Sequence, residues 1–240
     1  MAWYKEWFGE EYLELYAHRD AGEAERHIAF VEGLWQGQSP GRVLDLACGA
    51  GRHTAVLAER GVDVIGADLS ITLLAHPPRV RSAAGDMRTL PFKDGSFDWI
   101  LNFFTSFGYF ESERENFRVL EEIVRLLVPG GRFMIDFMNS RKVVAELKKS
   151  ELQEKAGRRV EISRWYDPET RRINKRMRLE SPGRRPESFL ESVRAYDRDE
   201  VTIGARWAGL EVDALYGDFG GEPYHRDSDR LILVGRKPLL

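Results

Sequence analysis

Residues 42–54, Arg-Val-Leu-Asp-Leu-Ala-Cys-Gly-Ala-Gly-Arg-His-Thr, constrain the fold more than any other stretch of the chain. The apolar run ending at Leu46 predicts a buried strand, Gly49 and Gly51 a tight turn, and Arg52 to Arg60 a helix closed by Gly61. A strand feeding a helix through Gly-x-Gly brings backbone N–H groups up to a ligand. Asp45 is the unusual member. Strands of an α/β sheet are buried on both faces, so a carboxylate there costs free energy unless something binds it. That anion would repel a phosphate and attract a cation.

Strand and helix patterns continue to alternate. Val62 to Ala67 reads as a second strand ending at Asp68; a short helix follows Ser70 and stops at Pro77-Pro78. A third strand is expected over 80–84, running toward Asp86, and a fourth over Phe97 to Phe103. Ser112 to Glu115 has the capping-box pattern, with Phe117, Leu120, Ile123, Val124 and Leu127 on one helical face behind it. Pro129-Gly130-Gly131 is expected to stop that helix before a fifth strand, Arg132 to Phe137.

Upstream, Leu13, Leu15, Tyr16, Ile28, Phe30, Val31 and Leu34 suggest a helical cap over 1–40, clearest at 23–35. The alternation breaks at 157–196, which reads as antiparallel strands around Val160/Ile162, 173–179 and 189–196, joined by turns at 167–170 and 181–183. A helix at 198–208 and strands at 211–216 and 230–235 complete the pattern. The expected class is α/β: a doubly wound, mostly parallel, seven-stranded Rossmann-like sheet with a small antiparallel insertion, as a single domain over 1–240.

Composition removes several classes. A net charge of −3 provides no global basic field for nucleic acid, although 158–185 is locally rich in arginine. The single Cys48 excludes an internal disulfide and reads as an apolar filler of the turn, in keeping with a reducing compartment. No apolar run reaches membrane-spanning length and the N-terminus is unlike a signal peptide, so a cytoplasmic location is expected.

Ligands of open α/β sheets sit at the carboxyl ends of the strands. Those ends carry Asp45 with the glycine turn, Asp68, Asp86-Met87, Asn102-Phe103 and the segment from Asp136 to Asn139. Asp68 follows Gly49 at the distance from which a carboxylate takes both ribose hydroxyls of a nucleoside. Nicotinamide enzymes share that feature. They are disfavoured because Thr54 stands in place of the third glycine and Asp45 would oppose a pyrophosphate.

Asp45-x-x-x-Gly49-x-Gly51, Asp68, Gly85-Asp86-Met87 and Val128-Pro129-Gly130-Gly131, in this order and spacing, resemble the class I S-adenosylmethionine-dependent methyltransferases that act on small molecules. Ala47 departs mildly from the frequent first glycine of the loop. The resemblance spans about residues 10–140 and the last forty or so. It implies S-adenosylmethionine as cofactor and S-adenosylhomocysteine as product. It further implies that Asp45 and the backbone of Ala47, Gly49 and Gly51 hold the methionine end, and that Asp68 binds the ribose. Leu69 would flank the adenine, Asp86 and Met87 would meet its amino edge, and Asn102 and Phe103 would wall the sulfonium. Tyr16 and Arg19 would close over the cofactor, and 157–196 would form a lid over the acceptor.

In-line methyl transfer to a nitrogen or oxygen of a small molecule follows from that resemblance. A hydroxyl acceptor would gain most from a general base. His225 and Tyr109 lead the candidates for that role, with Tyr224, His18 and Asn139 behind them; His53 reads as a packing or capping residue. A small-molecule acceptor, no nucleic acid, no membrane, no metal, and a monomer or homodimer are the expected associations. RNA or protein methylation and non-catalytic cofactor binding stay open as alternatives, and the sequence does not name the acceptor.

Overall fold

The computed structural model describes residues 2–16, 21–155, 157–180 and 185–239. Helices α1 (Trp3–Trp7), α2 (Glu10–Leu15) and α3 (Ala21–Trp35) precede the first strand. Then come β1 (Arg42–Leu46), α4 (Arg52–Glu59), β2 (Asp63–Asp68), α5 (Ile71–Ala75), β3 (Ser82–Ala84), β4 (Phe97–Asn102), α6 (Glu113–Leu126) and β5 (Leu127–Met138). Helix α7 (Ser140–Ala145) leads into β6 (Ser150–Lys155), β7 (Arg158–Asp167), β8 (Arg172–Glu180) and β9 (Glu187–Arg194). Helix α8 (Arg198–Ala208), β10 (Glu211–Tyr216) and β11 (Arg230–Arg236) end the chain.

Seven strands form the main sheet in the order β10-β11-β5-β4-β1-β2-β3. All pairings are parallel except those of β11, which runs against both of its neighbours. The α/β class read from the sequence is therefore observed. Its cause is double-sided burial: β1 and β4 hide nearly every side chain, and helices cover both faces. Leu44, Ile100 and Phe133 pack beneath α6 and α8 with Leu120, Ile123 and Val201. On the opposite face Val43, Leu101 and Met134 meet Ile28, Val31, Val56 and Leu57 of α3 and α4.

The second sheet, β6-β7-β8-β9, is wholly antiparallel. It starts at Ser150, before the expected 157. The sequence Ser-Glu-Leu-Gln-Glu-Lys lacks an apolar face, and β6 is held by its backbone register with β7, leaving Leu152 58% exposed. The expected turn at 181–183 lies outside the described residues. Strand β9 ends at Arg194, and Tyr196 drops into the core against Phe107 and Phe137.

Two further expectations shift. Strand β5 begins at Leu127 and runs through Pro129-Gly130-Gly131, because the chain turns directly from α6 into pairing with Phe97. Ser112 caps α6 by accepting the Glu115 N–H at 3.2 Å, but the Glu115 carboxylate turns to the Ser112 hydroxyl and Arg88. A reciprocal capping box is found instead at α8, between Asp197 and Glu200.

Arg172 joins the second sheet to the first. Its guanidinium donates to the carbonyls of Gly108 (3.2 Å), Tyr109 (3.1 Å), Phe110 (2.9 Å) and Ser192 (2.6 Å). A planar fork of five donors suits such a cluster of carbonyls. On the other side, Trp7 of α1 packs on Phe189, and Arg158 pairs with Glu11 and Glu14 of α2.

Candidate functional site

The turn after β1 is left-handed at Ala47 (φ 58°), Gly49 (φ 59°) and Gly51 (φ 81°). Gly51 is required twice, by its φ and because a Cβ there would lie 2.6 Å from Val80 Cγ2. It serves as N-cap of α4 and does not face the cavity that Ala47 and Gly49 line. Asp68 is pinned beside the turn: it accepts the Gly49 N–H and the Ser70 N–H, each at 2.8 Å. Burial raises its carboxyl above the usual range against those bonds.

Asp45, 1% exposed, accepts the Thr54 hydroxyl at 2.6 Å. Desolvation raises its carboxyl to about 6, with the Thr54 hydroxyl and backbone and Arg52 pulling down, and Asp68 pushing up. A carboxyl that holds its proton more tightly when folded weakens the fold as pH rises from its unfolded value toward its folded one. The ligand-free protein therefore loses stability on this account between pH 3.8 and about 6. Asp45→Asn is expected to raise the melting temperature at pH 7.5 by several degrees relative to its effect at pH 4.5, as read by scanning calorimetry.

A cavity of about 1490 Å³ opens over these groups. That exceeds the roughly 300–1,000 Å³ of a single small-ligand site, so there is room for two ligands side by side. Asp45, Ala47, Gly49, Asp68, Leu69, Asp86 and Met87 line one half. The Asp86 carboxylate is held by Arg88 through Nε at 3.0 Å and Nη2 at 2.6 Å; despite burial, that partner keeps it below the usual range. The other half is formed by Trp3 and Tyr12 of α1 and α2 with Phe8 and Tyr16 that close those helices, by Phe103 to Ser106 and Tyr109, and by Met138, Val143 and Leu147. Arg164, Ile173, Lys175, Glu191 and Val193 close it from the second sheet.

Ser70 Oγ donates to the Phe8 carbonyl at 2.6 Å, tying the N-terminal cover to the loop after β2. Tyr16 accepts from Lys175 Nζ, which also reaches Glu191 at 3.3 Å. Tyr109 stacks among Trp3, Tyr4 and Phe8. Tyr16 and Tyr109 thus both stand on the cavity wall. Arg19 and His18 lie outside the described residues.

Four other candidates stand elsewhere, Tyr224 among them. Asn102 is buried and donates to the Leu46 carbonyl at 2.8 Å, so it braces the end of β1 and leaves the wall to Phe103. His225 is exposed in the loop before β11, its Nδ1 accepting the Asp227 N–H, beside a separate hollow with Arg198 and Tyr224. Asn139 is spent on the carbonyls of Arg226 and Ser228, and Tyr224 donates to Asn139 Oδ1 at 3.3 Å. The loop that carries His225 closes on itself, the His225 N–H donating to Ser228 Oγ at 2.9 Å, and it does not line the larger cavity.

His53 packs, as its position suggested, but it also lines the cavity. Its ring lies parallel to Phe103, centroids 3.9 Å apart, and its Nε2 is 3.1 Å from His27 Nδ1. Burial lowers both imidazoles, His27 to about 4, so the pair is neutral. Its pairing with His27 crosses from α4 to α3 and leaves no local sequence signal. Arg88 and Lys175 were likewise missed, being visible only as two of many surface-type basic residues.

Residues 43–131 match a family model described as a methyltransferase domain. A demethylmenaquinone methyltransferase of Beutenbergia cavernae is 42% identical over 104 residues, 41% of this chain and 42% of that protein. The match thus spans only about two fifths of that relative. A cypemycin N-terminal methyltransferase from a Streptomyces species is 28% identical over 80% of this chain and 81% of its own length. An S-adenosylmethionine-dependent methyltransferase from Clostridium acetobutylicum superposes with a TM-score of 0.80 at 15% identity, covering 95% of this chain and 96% of that one. A buried anion at the glycine turn, a pinned carboxylate at the end of β2 and a cavity with room for two ligands fit a cationic nucleoside; residues 43–131 match a methyltransferase domain, and the chain shares its fold with a solved S-adenosylmethionine-dependent methyltransferase.

Proposed function

We propose that the chain transfers a methyl group from S-adenosylmethionine to the nitrogen of a small-molecule amine, in a cytoplasmic setting. The observation that carries this reading is a cavity with an acidic half at the strand ends and an aromatic half beneath the second sheet. When bound, the cofactor supplies an already activated methyl on a neutral leaving group. The chain's residues supply binding, alignment and exclusion of water. Asp45 faces the ammonium of the amino-acid end, Asp68 takes the ribose hydroxyls, and Leu69 and Met87 flank the base. Helices α1 and α2 cover both ligands, fastened by Ser70 to Phe8 and by Lys175 to Tyr16.

Two features favour nitrogen over oxygen. An aromatic wall with carboxylates at its rim attracts an ammonium-type acceptor through cation–π and charge contacts, and the lone pair that takes the methyl belongs to the fraction of that amine that has released its proton to solvent. A hydroxyl needs a base in the acceptor half, and among the described histidines of the cavity wall His53 is bonded to His27 while His76 is exposed and bonded to the Pro77 carbonyl. The cypemycin relative, an N-terminal methyltransferase by its own description, supports the same choice.

S-Adenosylhomocysteine is expected to raise the melting temperature while NADH leaves it unchanged. A panel of primary and secondary amines is expected to yield S-adenosylhomocysteine release that matched alcohols do not. Stabilisation by NADH alone would overturn the cofactor reading. Turnover of alcohols and not amines would overturn the acceptor reading.

A further inference from the structure

Thr54 occupies the helix position at which a dinucleotide-binding turn would carry its third glycine. It is 1% exposed and its hydroxyl donates to Asp45 Oδ2 at 2.6 Å. Strand β2 makes room for this contact. The residue paired with Asp45 in register is Gly66, where a Cβ would lie 3.2 Å from Thr54 Oγ1 and 2.6 Å from Cys48 Sγ. Thr54 therefore sits wedged between two strands with its one hydroxyl hydrogen committed to the carboxylate.

We infer that Thr54 is a positioning residue, holding Asp45 ionised and aimed at the cavity so that the carboxylate captures the ammonium of the ligand's amino-acid end. The inference rests on the cofactor reading above and names the residue that makes its key anion available.

The surroundings of Asp45 leave this task to Thr54. From β2, Asp68 opposes ionisation; from the turn, Cys48 offers a thiol whose own ionisation is suppressed by burial and by both aspartates. From β4, the register partner is Leu101, which is apolar and fully buried. Arg52 favours the charged form from α4, but as a weaker influence than the Thr54 bonds, and it is paired with Glu23 at 3.0 Å. With burial pushing the carboxyl up to about 6, the hydroxyl bond keeps its titration below neutral pH.

The test compares Thr54→Val, which keeps the shape and removes the donor, with Thr54→Ser, which keeps the donor. Calorimetric titration with S-adenosylhomocysteine is run from pH 5.5 to 8.5, alongside 5′-methylthioadenosine, which has the nucleoside but no amino-acid end. In the unsubstituted protein, S-adenosylhomocysteine affinity is expected to be flat above about pH 7 and to fall below pH 6. In Thr54→Val that fall should begin about one pH unit higher, weakening binding about twofold at pH 7 and approaching tenfold by pH 5.5, with recovery toward pH 8.5. Thr54→Ser should track the unsubstituted protein, and 5′-methylthioadenosine should bind all three alike. An unshifted pH profile in Thr54→Val, or equal weakening of both ligands at every pH, would overturn the inference. Failure of the unsubstituted protein to bind either ligand would overturn the cofactor reading itself.

Discussion

Asp68→Ala is expected to weaken binding of S-adenosylhomocysteine by about a hundredfold, measured by titration calorimetry, with the circular dichroism spectrum unchanged. A charged acceptor bonded to a hydroxyl contributes roughly 1.5–3 kcal/mol, so loss of a bidentate grip on a ribose reaches that range even without additivity. The carboxylate is held in place by the N–H groups of Gly49 and Ser70 and is desolvated before any ligand arrives. Preorganisation of that kind is spent on the ligand rather than on the fold, which is why stability should survive the substitution. Unaltered affinity in this variant would remove Asp68 from the site.

The second large effect is on stability. Asp136, 1% exposed at the end of β5, receives Arg230 Nε at 2.7 Å and the Phe104 N–H at 2.8 Å, and Arg230 also donates to Thr105 Oγ1 at 3.1 Å. Arg230→Met leaves a buried carboxylate without its counter-ion, a loss of about 3–5 kcal/mol. For a chain of this size the melting temperature should fall on the order of 10 °C. Burial already raises the Asp136 carboxyl above its ordinary 3.8. Without Arg230 it will hold its proton still more tightly, so the deficit should be smallest near pH 4 and grow as pH rises. Adding Asp136→Asn to the variant should restore part of the loss. A deficit independent of pH would show that the ion pair is not its source.

The same pair explains a part of the site that sequence could not supply. Phe104 and Thr105 are both left-handed, at φ 59° and 58°, and are kept so by bonds to Asp136 and Arg230, far away in the chain. What was legible in the sequence was whatever a single strand or helix dictates. Apolar runs with a carboxylate at their ends placed Asp45, Asp68 and Asp86, and one amphipathic face located α6. What was hidden depends on contacts between remote segments. The five-residue α1 is too short to show a helical period, yet it brings Trp3 and Phe8 to the cavity. Strand β6 has no apolar face to betray it, and Asn102 could not be told from a wall residue until its bond to Leu46 was seen.

Apart from the N-terminal cover, the cavity draws its two halves from different stretches of chain. The groups facing the donor end all fall between Asp45 and Met87, inside the span matched by the methyltransferase-domain model. The opposite wall is assembled from 3–16, 103–109, 138–147 and 164–193, mostly outside it. Under the proposed function, changes confined to that opposite wall would alter the acceptor and leave the groups between Asp45 and Met87 alone. Exchanging α1, α2 and β7 to β9 together, with Arg172 retained as the rivet to the carbonyls of 108–110, would be the natural unit for redirecting the chain to a different acceptor.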